Sequence, residues 1–417
     1  MNALLSVDAA LSQILTNFQQ LGAEQVSLEE AYQRILAEDV ISTIALPPFA
    51  NSSMDGFAVQ AADTQTAPRS LHVIGDIPAG TSPQFVVRQG EAARIMTGAP
   101  MPAGADAVVP VEATNQNFRQ TGDHELPETI EVRQAVKPGD YVRPVGEDVQ
   151  IGQRVLLAGS SIQPAEIGLM AMLGVSRVPV VRQPRVAILS TGDELIAPDQ
   201  PLTPGKIRDA NGYVLAALVR QNGGIPLRFP PAKDSIEAVR ARFEEALAEK
   251  PDLILSSAGV SVGVFDVVRT VIEEIGHIDL WRINIRPGKP LAFGQVGGVP
   301  FFGLPGNPVS AMVTFEVFVR PTLLKLGNRI DDAPIIQAYL EKPIHSDGRR
   351  TYARVKLRRD AGSGRWIASE TGTQSSGALS SMVLADGLLT IPEGLTGNSP
   401  EALYSVRLLR PVTQGLS

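Results

Sequence analysis

The chain has 417 residues, of which 44% are hydrophobic and 19% charged, with a formal net charge of −7 and no cysteine. At roughly 100–200 residues per domain, that length calls for about three or four folding units. The missing thiols exclude disulfides, cysteine nucleophiles and thiolate metal sites, and the mildly acidic balance without a long basic run argues against bulk attraction to nucleic acid or a membrane.

Four histidines, His72, His124, His277 and His345, form no HxxxH pair, so any metal is expected to be a hard cation held by carboxylate and phosphate oxygens. No basic segment precedes an apolar stretch at the N-terminus, and no 18-residue apolar run occurs. These features lead to the expectation of a cytoplasmic protein with no membrane partner.

In chain order, Val7, Leu11, Ile14, Leu15 and Phe18 stand at helical spacing behind Ser6, a cap residue. Ser27 to Glu30 reads as a capping box, with Ala31, Ile35 and Leu36 following on one face, which predicts a second helix. From about 57 to 143, short β-type runs (Leu71–Ile74, Ala92–Met96, Ala107–Val111 and Ile130–Val132) alternate with Gly/Pro turns and predict a small β unit. A mixed stretch over 144–178 contains a short helix at Pro164–Met172.

Residues 184–325 change character. Strands are expected at Arg185–Leu189, Ile225–Phe229 and Leu253–Ser256, then at Ile278–Ile285, Leu291–Gly294 and Pro300–Phe302. Helices are expected to open at Asn211, Asp234 and Asp266, and a long one to run over Asn307–Leu324. Strands alternating with helices of this length predict a mostly parallel sheet covered on both faces, with ligands collecting beyond the strands' C-terminal ends. Residues 331–417 return to β patterning at Ile336–Leu340, Ala353–Leu357, Leu388–Ile391 and Ala402–Leu409.

Three small-residue loops stand at strand ends: Ser190–Glu194, Ser257–Asp266 and Leu304–Ser310. Small residues let backbone N–H groups approach an anion, and each loop feeds a helix or turn. Asp266 is either a plain helix cap or, with Glu194, a Mg²⁺ ligand beside phosphate. Arg282, Arg286 and Lys289 in WRINIRPGKP are either solvated charge or cations aimed at an oxyanion. If one strand carries both, 282 and 286 share a face. Residues 51–56 and 94–98 are either ordinary turns or polar site loops. Arg349, Arg350 and Arg354, with the Ser-rich Gln374–Met382, make either an anion site or a basic surface strand and a flexible loop.

Taken together, NSSMDGFA (51–58), GEAARIMTGAPMPAGADAVVPVE (90–112), STGDEL (190–195), AGVSVGVFD (258–266), IRPGKPLAFG (285–294) and LPGNPVSA (304–311) resemble the molybdopterin molybdenumtransferase family, the MoeA-type molybdenum insertases that also occur as the E domains of gephyrin and plant insertases. The resemblance spans nearly the whole chain in the same order. It implies a multidomain α/β plus β protein and an elongated homodimer with its active site at the subunit interface. The implied parts are an N-terminal helix (1–22) packing with the α/β domain, a mixed linker domain (23–50 with 144–178) and a β domain (51–143). A mostly parallel, MogA-like α/β domain (179–328) and a C-terminal β-barrel-like domain (329–417) complete the set.

The activity implied is insertion of molybdenum from molybdate into the dithiolene of adenylylated molybdopterin, with Mg²⁺-dependent release of AMP. A MogA-type adenylyltransferase and cofactor-accepting molybdoenzymes would be its partners. By motif, Asp266 and Glu194 resemble the Mg²⁺ carboxylates. Ser261, Val262 and Gly263 resemble a phosphate cradle, and Asp55 and Thr97 catalytic positions acting across the dimer. Arg282, Arg286, Lys289, Pro305, Pro308, Ser310, Arg143, Arg354 and Ser376 resemble substrate-binding positions. The family's GGVS loop opens with Ala258-Gly259 here, and Arg stands at 282 and 286 where Lys is common. Arg keeps the charge and adds a planar fork, but it cannot act as a neutral amine. Two other readings remain: a scaffold of the gephyrin E-domain type, and a molybdopterin adenylyltransferase. The latter corresponds to the α/β domain alone, without the three further regions seen here.

Overall fold

The computed structural model describes residues 4–117, 125–257, 267–396 and 398–412. The chain forms two compact units, Met1–Glu24 with Val180–Ser417 and Gln25–Pro179. Among the described residues, no helix is long and apolar enough to cross a membrane.

The first unit is built on a six-stranded sheet in the order Ile225–Arg228, Arg185–Ser190, Leu253–Ser257, Val299–Leu304, Pro290–Val296, Gly276–Arg282. The first four strands run parallel, and Pro290–Val296 runs antiparallel to both of its neighbours. Leu253–Ser257 is buried at every position, as a central strand covered on both faces must be. Alternate side chains feed two cores. Val186, Ile188, Leu255 and Phe302 pack on one side, and Ala187, Leu189, Ile254 and Phe301 on the other. The helices Val7–Leu15, Asn211–Gln221 and Pro308–Thr314 cover the first face, while Ile236–Ala248 and Val267–Ile275 cover the second.

Ser6 caps the first helix, its hydroxyl accepting from the Ala9 amide. Beyond that helix, Phe18 stacks on Phe302 with centroids 6.3 Å apart, and Phe293 packs against both. Arg350–Arg359, Trp366–Glu370, Ile335–Leu340, Tyr404–Leu408 and Gly387–Ile391 form a second sheet, and pairing of its first strand with its last closes the ring. Ile285–Arg286 leaves the α/β segment to pair with Arg350–Thr351 on that sheet.

The second unit carries a five-stranded sheet in the order Ala107–Pro110, Gly56–Val59, Glu91–Ile95, Arg69–Ile77, Thr129–Val132. The helix Pro164–Met172 starts on a capping box between Gln163 and Glu166.

Several expectations need correction. The capping box at Ser27 starts only a 3-10 turn, Leu28–Glu30, and no second helix follows. Gln33 takes a positive φ of 59°, and the backbone of 33–37 bonds instead to residues 159, 160, 162 and 179. Ala31, Ile35 and Leu36 are buried as expected, through that pairing rather than on a helical face. Asn211 does not cap its helix, since the Asp209 carboxylate takes the Gly212 amide. Ser235, not Asp234, caps the next helix. The long helix from 307 is broken by a π turn at Phe315–Val319, just ahead of Pro321, which has no amide to give to the ladder.

Phe302→Ala should destabilise this unit by about 3–5 kcal/mol, because Phe302 is fully buried at the centre of an aromatic trio. A urea midpoint equal to that of the parent chain would contradict this packing.

Candidate active site

Parallel register brings the loop-bearing strand ends together. Ser190 is paired with Ser257, and Ser257 with Leu304, at the C-terminal edge of three adjacent strands. The Ser190 and Ser257 hydroxyls lie 3.2 Å apart, and the buried Asp209 carboxylate sits 3.4–3.5 Å from Ser190 Oγ. Asp209, absent from the motifs above, lines the cleft at this edge. Its signal was there in KIRDANG, where an Asp precedes a helix that starts at a strand end.

Thr191, Glu194, Asp209, Asn211, Ser257, Gly306, Asn307 and Pro308 line a cleft of about 150 Å³ at this edge. The Glu194 carboxylate folds back over Gly192, whose φ is +146° and whose missing side chain leaves the room. A Cβ there would lie 2.5 Å from the carboxylate. Among the described residues, the Glu194 carboxylate has no hydrogen bond or ion pair, although its backbone carbonyl accepts from the Ile207 amide, and no cluster of three metal-ligating side chains occurs. One free carboxylate beside hydroxyl oxygens suits a hard cation that draws its remaining ligands from phosphate and water. Asp266, Ser261, Val262 and Gly263, with the Ala258-Gly259 variation, lie outside the described residues.

A larger cleft of about 720 Å³ adjoins the first and shares Gly306 and Asn307 with it. Arg286, Lys289, Pro305, Ser310, Arg354 and Ser376 all line it, together with Arg349, His345, Glu370 and Gln374. Arg354 is 2% exposed. Its Nε donates to Ser381 Oγ (3.2 Å) and its Nη2 to the Ser375 carbonyl (3.2 Å), and no carboxylate lies within ion-pair distance among the described residues. Burial lowers the pKa of its guanidinium; Glu370 opposes that shift and Arg286 adds to it. Glu370 is pushed the other way, above the usual carboxylate range, by desolvation, with Arg354 and Arg286 pulling it back. The third arginine, Arg349, is largely spent on Asp347, whose carboxyl it holds down at about 2. The cleft therefore carries more cationic charge than its own carboxylate neutralises, which suits a small divalent anion.

The Ser-rich segment is held firmly along this wall. Asn307 Nδ2 donates to Ser376 Oγ at 3.0 Å, and the Val309 amide donates to the Ser376 carbonyl at 3.0 Å. Gly288 packs with φ +110° against Thr314, where a Cβ would meet Thr314 Oγ1 at 2.5 Å, and this seats the turn between Arg286 and Lys289. Arg282 and Arg286 do not share a strand. Arg282 ends the edge strand of the six-stranded sheet, is exposed and does not line the cleft. Arg350 also lies outside the cleft, its fork closed on Asp8 at 2.7 Å.

In the second unit, the Thr97 amide and hydroxyl both donate to Asp55 Oδ1 at 2.7 Å. Arg143 is exposed on a two-residue strand that pairs with Asn51–Ser52, beside the same loop. Asp55, Thr97 and Arg143 thus belong to one neighbourhood within that unit.

Three family models match the chain: the MoeA N-terminal region (domains I and II) over residues 5–174, a probable molybdopterin binding domain over 187–325, and the MoeA C-terminal region (domain IV) over 337–400. A molybdopterin molybdenumtransferase of a Nostoc species is 39% identical over 90% of this chain and 86% of its own length. The Bacillus subtilis molybdopterin molybdenumtransferase is 34% identical over 97% and 94%. The crystal structure of a molybdopterin biosynthesis MoeA protein from Pyrococcus horikosii superposes with a TM-score of 0.81 at 33% identity, covering 98% of this chain and all of that one.

Replacing Arg354 with Met should weaken binding of a divalent tetrahedral oxyanion by roughly 10- to 100-fold, the range for losing a charge-assisted hydrogen bond. Equilibrium dialysis with tungstate would measure it, and an unchanged affinity would put the anion elsewhere.

Proposed function

This chain belongs to the MoeA-type molybdopterin molybdenumtransferase family, and from that premise we propose how its two adjoining clefts divide the work of putting molybdenum into molybdopterin. The enzyme is a transferase of molybdenum cofactor biosynthesis. In our reading its substrates are molybdate and adenylylated molybdopterin, and AMP is released as the metal is inserted. The observation that carries this division is the shared Gly306-Asn307 wall between a strand-end cleft and a cation-rich one.

The phosphate sits at the ends of Arg185–Ser190 and Leu253–Ser257, where loop amides and helix N-termini favour an anion. Glu194, and by its motif Asp266, would hold Mg²⁺, which when bound would offset charge on the phosphate oxygens. By their motif, Ser261, Val262 and Gly263 would cradle the same group. Water attacks the adenylyl phosphorus in line, the bond to the bridging oxygen breaks, and AMP and the molybdopterin phosphate separate, the chain contributing mainly position and field.

Molybdate is held by Arg286, Lys289 and Arg354, with Ser310 and Ser376 as neutral donors and Pro305 shaping this cleft, while Pro308 lines the strand-end cleft. Because the chain has no cysteine, the soft sulfur ligands for molybdenum come from the dithiolene of the substrate. Asp55, Thr97 and Arg143 act from the partner subunit of a homodimer. Arg282, lying outside the cleft, takes no part in this assignment. A MogA-type adenylyltransferase supplies the substrate and molybdoenzymes take the product, all in the cytoplasm.

Asp266→Asn should lower AMP release from adenylylated molybdopterin by about 100-fold or more while leaving thermal unfolding unchanged, and chelation of Mg²⁺ should stop release by the parent enzyme. Turnover by the variant at the parent rate would refute the assignment of Asp266.

A further inference from the structure

Asn211 stands in the first turn of the helix Asn211–Gln221 and lines the strand-end cleft. Its amide orientation is fixed: Nδ2 donates to the Gly306 carbonyl at 2.7 Å, and a flipped amide would set two oxygens against each other. That leaves Oδ1 buried and, among the described residues, without a donor. Buried acceptors are almost always paired, so an unpaired one at a ligand cleft calls for an explanation.

Two nearby donors are already engaged. The Gly212 amide is taken by Asp209, and the Ser190 hydroxyl is within reach of both Asp209 and Ser257. We infer that Asn211 is a specificity-determining residue whose side-chain carbonyl accepts a hydrogen bond from the nucleoside portion of the adenylyl group. This rests on the reading that the cleft binds an adenylylated ligand.

The chemistry narrows the donor. The phosphate of such a ligand offers acceptors and negative charge, both of which Oδ1 repels. The nucleoside offers the exocyclic amine and the two ribose hydroxyls, each an N–H or O–H donor. The phosphate must therefore lie away from Asn211 Oδ1, with the sugar or base turned toward it. Asn211 also grips Gly306, on the wall shared with the cation-rich cleft, so the residue that reads the nucleoside helps to set that wall.

The test is a titration of the full-length chain, with Mg²⁺, against AMP, IMP, 2′-deoxy-AMP and 3′-deoxy-AMP. The parent chain should bind AMP at least about tenfold more tightly than one of the three analogues, because that analogue leaves the acceptor unpaired. In Asn211→Ala the preference should collapse, with AMP falling to the affinity of that analogue and the others changing in parallel with AMP. Asn211→Ser, which is too short to reach, should behave likewise and guards against a folding defect in the first variant. Equal affinity of the parent chain for all four ligands, or a preference that survives in both variants, would overturn the inference. Failure of the parent chain to bind AMP at all would overturn the underlying reading of the cleft, and the inference with it.

Discussion

Everything functional in the first unit depends on the parallel ladder that joins Arg185–Ser190, Leu253–Ser257 and Val299–Leu304. Parallel pairing points all three strands the same way, and its register ends them level, at Ser190, Ser257 and Leu304. Strand ends from three distant stretches of sequence are thereby brought side by side. A slip of one residue in any strand would turn Val186, Ile188 or Phe302 from one core to the other, so the two apolar cores that hold the sheet also hold the site in register.

From that edge the described site extends toward the closed β sheet of the same unit. The segment Ile285–Arg286 crosses to that sheet and carries Arg286 and Lys289 with it. Arg354 arrives from the sheet itself, buried and bonded to neutral oxygens rather than to a carboxylate. Holding a guanidinium in this way is costly unless an anion completes its environment. The wall at Gly306 and Asn307 is gripped from both sides, by Asn211 and by the pairing of Asn307 with Ser376. An adenylyl group on one side and an oxyanion on the other would meet across a few atoms of this loop, which is the arrangement a coupled transfer needs.

Much of this was legible in the sequence, because periodicity and turn chemistry are local. The parallel strands at 185, 225 and 253 and the helix Pro164–Met172 follow from residue patterns alone. The level ending of three strands ahead of glycine-bearing sequence, at Ser190, Ser257 and Leu304, follows from the fold rule. What escaped was non-local. The apolar run 31–36 looks helical, yet it is buried by pairing with 159–162. Arg282 and Arg286 look like neighbours on one strand, but the chain changes sheets between them. Asp209 lacks a motif of its own and gains meaning only beside Ser190 and Gly212. Arg349 and Arg350 are adjacent and chemically identical, yet one faces the cleft while the other is drawn away by Asp8.

The most direct measurement is a crystal structure of the full chain with AMP, Mg²⁺ and molybdate together. The AMP phosphate should lie at the ends of the strands closing on Ser190 and Ser257, with Glu194 at the metal and the nucleoside turned toward Asn211. Molybdate should lie beyond Gly306, between Lys289 and Arg354. Both anions in one cleft, or either of them bound away from the Gly306-Asn307 wall, would contradict the account.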